Sequence, residues 1–529
     1  MYYTTLPYSI AAAIIFISTA LAVRYFIRRL VCRYTTDICR VPKPPGGSWL
    51  WGHELEPLSK SWGVVYASWL ETYGPVFRLN GALGHDDILV IADPGALSHM
   101  LTKNVYGYAK SFIMRPLIER LVGRGLMWAE GEEHRRMHAL LSHIFTAEKT
   151  KNAYEDVKVS ADRVVMKLIN HLNSHDGDAT IKITEWMGKA TLDIIGRIGF
   201  GHDFGCGESP EAKKIAAVWE QSVSLGMTKI ARIAPIIIRT FPFIVSLPIP
   251  AIQAQGAIKL TVKELAEELY VKASANPELN KGKDLLSTLI RANFRERRNI
   301  SKDELLDHIC TFVMVGHETT AGTLGFTIHA LAQHPEVQDK LRKEILEFGA
   351  EPKYDDFLTK LPYLDAVTKE AMRMFPASAH TERIALHDDV LPLRKPIFTP
   401  EGETLISLRI KKSQLIQIPS FPLDRMNAVW GDGNVFRPER WLNPGQLPAP
   451  GKLTQGWSNL FIFSEGPRMC IGYRLALLEY KALLSSFVKH FVFHDTGAEI
   501  EHVWSNTLQP KVVGEEGLSL PVRVTLADY

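Results

Sequence analysis

The chain has 529 residues, 46% of them hydrophobic and 22% charged, which excludes a disordered, collagen-like or disulfide-scaffold protein. Its 61 basic and 58 acidic residues leave a formal net charge of +3, too balanced for a nucleic-acid-binding surface. Cys32, Cys39, Cys206, Cys310 and Cys470 are far apart and form no Cys-x-x-Cys pair, so neither a disulfide framework nor a cysteine zinc site is expected.

From the amino end, Leu6 to Val23 carries no charge, and Arg24, Arg28, Arg29, Arg33, Arg40 and Lys43 follow it. These 18 residues are at the short end for a membrane-spanning helix. The basic flank is expected to stay cytosolic, with the bulk of the chain on the same side. Ala20-Leu21-Ala22 imitates a signal-peptide cleavage site, but a signal peptide carries its positive charge ahead of the apolar run, and here it lies after. A buried soluble helix is the remaining alternative. The expected organisation is an anchor over 1–27, a basic and Pro/Gly-rich linker over 28–52, and one body over 53–529.

In that body, strand-like patterns fall at Val76–Leu79 and Ile88–Ala92. Helical periodicity dominates from Glu132 to Glu347, for example over Tyr154–Leu172 and Trp186–Ile198. Ile233 to Ile252 carries Pro235, Pro242, Pro248 and Pro250. It is too proline-rich for one helix and reads either as a core connection or as an exposed apolar loop touching a membrane. Asn299-Ile-Ser301 is a glycosylation sequon, expected to be unused in a cytosolic body. Ser301-Lys-Asp-Glu304 is a capping box that opens a long helix. Near the middle of that helix lies Val315-Gly316-His317-Glu318-Thr319-Thr320, where a glycine and two threonines weaken it locally.

Further on, Glu370 and Arg373 share a helix face. Extended segments between Leu391 and Pro419 are broken by Thr-Pro-Glu-Gly. Phe436-Arg-Pro438-Glu439-Arg440-Trp441 places Arg440 30 residues before Cys470. A mainly α fold with small β-sheets follows.

The most informative stretch is Phe463-Ser-Glu-Gly466-Pro-Arg468-Met-Cys470-Ile-Gly472, with an apolar helical run, Tyr473 to Phe487, directly after it. A turn feeding a helix start aims amide N–H groups and the positive end of the helix dipole at a cysteine sulfur, which favours a thiolate. Gly466 and Gly472 permit close backbone approach. Phe463 can shield the sulfur, and Arg468 can pair with a carboxylate.

These residues resemble the haem-binding signature of the cytochrome P450 family, and the resemblance extends over nearly the whole chain. It implies a mainly helical α+β fold of that type behind one N-terminal transmembrane helix. It implies haem b, with Cys470 as the iron ligand. Arg468, Phe463, Gly466 and Gly472 would form the cysteine side of the cofactor site. His134 matches the family's propionate-side tryptophan or histidine, and Arg383, in the segment starting at His380, is a second propionate partner. His138 stands where the family commonly has arginine, so Arg135 or Arg136 is read as a substitute. Glu370, Arg373 and Arg440 would form a buried structural network. Val315–Thr320 resembles the oxygen-activation groove, in which a gap in the helix hydrogen bonds makes room for oxygen. There Thr319 would hold oxygen and Glu318 would relay protons, and Val315 departs from the usual Ala or Gly. The Thr-Pro-Glu-Gly region resembles fungal members.

By the same resemblance the activity is monooxygenation of a hydrophobic small molecule, such as a terpenoid, another secondary metabolite or a xenobiotic. The implied partners are an NADPH-cytochrome P450 reductase, with cytochrome b5 as an optional second donor. The implied place is the endoplasmic reticulum membrane, single-pass, with the catalytic domain facing the cytosol. Two alternatives stay open: a haem-thiolate isomerase or dehydratase that needs no reductase, and a non-catalytic haem- or lipid-binding membrane protein.

Overall fold

The computed structural model describes residues 34–58, 60–247, 249–275, 284–296, 300–505 and 507–527, with scattered positions before residue 34. The anchor expected over 1–27 lies for the most part outside the described residues, as does Asn299 of the sequon. Among the described residues no helix is long and apolar enough to cross a membrane.

The principal helices are α1 (Val64–Tyr73), α2 (Met114–Val122), α3 (Gly131–Ser142), α4 (Tyr154–Asn173), α5 (Ile183–Phe200) and α6 (Pro210–Gly226). They continue with α7 (Lys229–Thr240), α8 (Pro250–Ala275), α9 (Lys302–Gln333), α10 (Pro335–Glu347), α11 (Pro362–Met374) and α12 (Tyr473–His490). The larger sheet joins β1 (Val76–Leu79), β2 (Ile88–Ile91), β3 (Tyr108–Ala109), β5 (Thr381–Ala385) and β8 (Leu415–Ile418) in the order β1-β2-β8-β5-β3. Only β2 and β8 run parallel. The remaining strands are β4 (Asp178–Lys182), β6 (Asp389–Phe398), β7 (Thr404–Ile410), β9 (Phe491–His494), β10 (Ile500–Trp504), β11 (Leu508–Val512) and β12 (Pro521–Leu526). They form a β4-β12-β9 sheet and two hairpins, β6-β7 and β10-β11. The expected mostly helical body with small sheets is what the chain forms, and Thr-Pro-Glu-Gly falls in the β6–β7 connection.

Helix α9 runs through the core and is buried on every side over most of its length, which explains why its sequence is apolar all round and not on one stripe. It packs against α5, α8 and α12. Gly316 lets α5 come close, since a β-carbon there would lie 2.9 Å from Ile195 Cδ1. The Ser301 hydroxyl accepts the Glu304 amide at 3.1 Å and starts the helix. The capping box is only half made: the Glu304 carboxylate accepts from Arg136 at 2.8 Å.

The proline-rich stretch divides into α7, which holds Pro235 inside it, a 3-10 turn at Pro242–Ser246, and α8, which begins at Pro250. Phe241 and Phe243 are 47% and 63% exposed, and Leu247 and Ile249 are also partly open. The segment is core in one part and surface in the other: Ile236 and Ile238 of α7 are buried, whereas Phe241, Phe243, Leu247 and Ile249 lie on the surface. The stretch read as linker also meets the body: Ile38 and Val41 are buried, and Asp37 pairs with Arg409 of β7 at 2.9 Å.

Candidate active site

Cys470 sits in the turn that feeds α12. Its amide donates to the Phe463 carbonyl at 2.9 Å, which closes the loop. Burial pushes the thiol up, and the Gly472 amide, donating to the sulfur, opposes this. Cys470 lies deep in the protein and yet its side chain is accessible, so it faces an internal space. Gly466 has a φ of +68°, and a β-carbon there would collide with the Leu101 carbonyl, so this position requires glycine. Gly472 does not: its φ is −89°, and a β-carbon would meet only Phe145 Cε1 at 3.9 Å. Its part is to cap α12 and point an N–H at the sulfur. Phe463 packs between Trp457, which it meets edge-on, and Tyr473, whose ring is tilted against it.

Behind this loop, Glu370, Arg373 and Arg440 are fully buried. Glu370 accepts from Arg373 Nε and Nη2 at 2.9 and 2.8 Å, from Arg440 Nε at 3.1 Å, from Trp441 Nε1 at 2.9 Å and from the Arg437 amide at 2.8 Å. The three-residue network expected from the sequence is thus present, enlarged by Trp441. Removing one partner from such a set leaves a buried charge unpaired.

On another side, Arg468 pairs with Glu130, at the start of α3. Lys110 pairs with the same carboxylate at 3.0 Å. Arg383 on β5 donates only to Thr381 Oγ1 and the Glu382 carbonyl, and has no salt bridge among the described residues. The Nε atoms of Arg383 and Arg468 are buried without a partner. This crowding of positive charge is felt by Lys110, Arg383 and His134. Burial, with Arg383 and Arg468 beside it, lowers Lys110 to about 8. Burial and Arg468 lower Arg383 to about 10. Burial, then Arg468 and Lys110, lower His134 to about 4.

His134 is buried and hydrogen-bonds the Tyr106 hydroxyl at 3.1 Å, with the His138 ring 5.6 Å from its own. Arg135 and Arg136 do not substitute for an inward arginine. They pair with Glu132 and Glu304 and are about half exposed, because positions one and two residues on from His134 turn off its helix face. Lys110 is a further buried cation beside Arg383 and Arg468, and no motif marked it. It follows β3, whose pairing of Ala109 with Ile384 of β5 carries it to Arg383.

Between its two ends α9 is buried except at Val315, Gly316, Thr319 and Gly322, which stay part-accessible midway along it. Val315 and Thr319, four apart, share a face. Ile471, next to the cysteine, packs on the apolar cluster that includes Phe312, Val313 and Met314. The helix is not interrupted here. Instead, the Thr319 hydroxyl donates to the Val315 carbonyl at 2.7 Å, and Thr191 of α5 donates to the His317 carbonyl at 2.9 Å. Glu318 is buried, and burial raises its carboxyl to about 8, with hydrogen bonds from Thr507 and Gln509 working the other way. It is therefore mostly a neutral acid at pH 7. Thr507 and Gln509 left no signal in the sequence.

The residues present fit haem. An accessible cysteine faces an enclosed space, and a surplus of buried cations with two orphaned guanidinium nitrogens suits two propionates. Cys470 would ligate the iron, and Arg468, Arg383 and Lys110, with His134, would hold the propionates.

Comparison with known proteins agrees. The Cytochrome P450 family profile matches residues 42–512. Cytochrome P450 monooxygenase claQ of Ampulloclitocybe clavipes is 33% identical over 475 residues, covering 87% of this chain and 88% of that protein. Cytochrome P450 monooxygenase claU of the same organism is 30% identical over 509 residues, 93% and 94% of the two chains. Cytochrome P450 monooxygenase 205 of Postia placenta is 30% identical over 479 residues, 87% of each. The chain belongs to the cytochrome P450 family, as a haem-thiolate monooxygenase with haem b as its cofactor.

Proposed function

We propose that the protein inserts one atom of dioxygen into an apolar small molecule, of the terpenoid, secondary-metabolite or xenobiotic kind, with NADPH-derived electrons from a membrane-bound flavoprotein reductase. When bound, haem supplies the redox chemistry, tuned by the Cys470 thiolate. The chain's own residues hold the cofactor, exclude water and manage protons. The observation that carries this reading is the buried, neutral carboxyl of Glu318 beside Thr319. An acid kept protonated at neutral pH by burial is suited to general-acid work, which the reduction of oxygen to water needs. The apolar side chains of Phe312 and Val313, with Val315 part-accessible beside them, suit a greasy substrate.

The charge-free run Leu6–Val23, its basic flank and the exposed Phe241 and Phe243 support a single anchor in the endoplasmic reticulum membrane, with the body on the cytosolic side. The test is expression with a reductase and a screen of hydrophobic compounds by mass spectrometry. Products one oxygen heavier, formed only with NADPH, are expected. Turnover of a substrate without NADPH or reductase would instead favour the isomerase or dehydratase.

A further inference from the structure

We propose that Thr507 and Gln509, at the tip of the β10–β11 hairpin, are positioning residues that bind Oε1 of Glu318 and leave Oε2 as the oxygen that carries and releases its proton. The proposal rests on the acid role of Glu318 given above.

The geometry is specific to one oxygen. The Thr507 hydroxyl donates to Glu318 Oε1 at 2.7 Å, and Gln509 Nε2 donates to the same atom at 2.6 Å. Gln509 Nε2 also donates to Thr507 Oγ1 at 2.6 Å, so the two donors brace each other. An oxygen that already accepts two hydrogen bonds is the carbonyl oxygen of a neutral carboxyl, because a proton there would face two donors. The acidic proton therefore belongs on Oε2, which accepts no hydrogen bond among the described residues. When Oε2–H breaks, the proton passes to the dioxygen-derived oxygen that leaves as water, and the remaining carboxylate keeps both donors. A proton from solvent restores the acid, and no oxidant or reductant takes part in this step.

The donors are held in place from outside. The Leu508 amide, between them, donates to the Ala377 carbonyl at 2.9 Å. Trp62 donates its amide to the His502 carbonyl at 2.7 Å, and its ring stacks on Trp504 at 5.3 Å. A hairpin pinned on both strands presents its donors without reorganisation, which is what a precise catalytic shell requires. The two donors are neutral, and no charged side chain is among the causes of the Glu318 shift. The neighbouring titratable groups are engaged elsewhere. His317 bonds the Val313 carbonyl and meets Trp219 edge-on, Glu479 of α12 lies against Thr320, and His502 of β10 lies against Phe326 and Phe421.

The experiment uses the haem-loaded enzyme with its reductase. Infrared difference spectra titrate the protonated carboxyl band that Glu318→Gln removes, and peroxide released per NADPH is followed across pH. In Gln509→Leu and Thr507→Val, each lacking a donor that favours the anion, the midpoint is expected to rise by about 1 unit. The pH profile of peroxide release should move with it, with Thr507→Ser restoring both. A midpoint and profile unchanged in Gln509→Leu and in Thr507→Val would overturn the proposal. The carbon monoxide spectrum shows that each variant is folded, and Thr507→Val stands as an independent test where Gln509→Leu does not fold. If the midpoint moves but Glu318→Gln leaves peroxide release unchanged, the acid role fails and takes the catalytic half of the proposal with it.

Discussion

Arg373 and Asp424 connect the buried network to the cysteine loop. Arg373 Nη1 donates to the Asp424 carbonyl at 3.0 Å, and the Asp424 carboxyl accepts the amide of Phe461, two residues before Phe463, at 2.7 Å. The guanidinium held by Glu370 thus fixes the strand of chain from which Cys470 is presented.

Glu370→Ala strands two buried guanidinium groups. A loss of roughly 3–5 kcal/mol is expected, read as a lowered denaturant midpoint and a poor yield of haem-loaded protein. Trp441→Phe removes a single donor to the same carboxylate and should cost about 1 kcal/mol.

Asp424 gives the stability a pH slope. Burial raises its carboxyl from 3.8 to about 7. Between those values the folded state holds a proton that the unfolded state has released. Stability from this group is therefore full below pH 4 and falls as pH rises towards 7, by on the order of 4 kcal/mol. Asp424→Asn keeps the acceptor for Phe461 and removes this group's part of the slope. Unfolding of both proteins at several pH values between 4 and 8 checks it, and parallel curves would contradict the assignment.

Lys110→Met and Arg383→Leu each remove a cation from the expected propionate side. Each should weaken haem binding by about 10- to 100-fold, the worth of one charge-assisted hydrogen bond, measured by haem titration of the apoprotein. Arg135→Leu, whose cation faces Glu132, should leave haem binding unchanged. Cys470→Ala should retain a fold but lose the red-shifted Soret band that a thiolate ligand gives to the reduced carbon monoxide complex.

Glu318→Gln keeps the shape of the side chain without its acid. Product per NADPH should fall roughly 10²-fold or more. In the unmodified enzyme the same ratio should decline as pH rises through about 8, where the carboxyl loses its proton. A yield independent of pH between 7 and 9 would count against the role.

Phe241 and Phe243 project from the loop between α7 and α8. In protein lacking residues 1–27, Phe241→Ser with Phe243→Ser should reduce binding to phospholipid vesicles by about 10-fold or more. Sedimentation with vesicles measures this.

The sequence by itself determined the features that live within one turn or one helix: the Cys470 loop, the Glu370–Arg373 pair, the Ser301 cap and the run of buried residues in α9. Their geometry follows from local backbone rules, so residue type and spacing are enough to read them. Only the tertiary structure decided which side chains meet across the chain. The β3–β5 pairing brings Lys110 to Arg383. The helix phase of α3 turns Arg135 and Arg136 away while His134 stays inside. The β10–β11 hairpin supplies donors to Glu318 from 189 and 191 residues away. Such contacts are set by sheet register and core packing, which bring together residues whose separation along the chain carries no trace of their nearness in space.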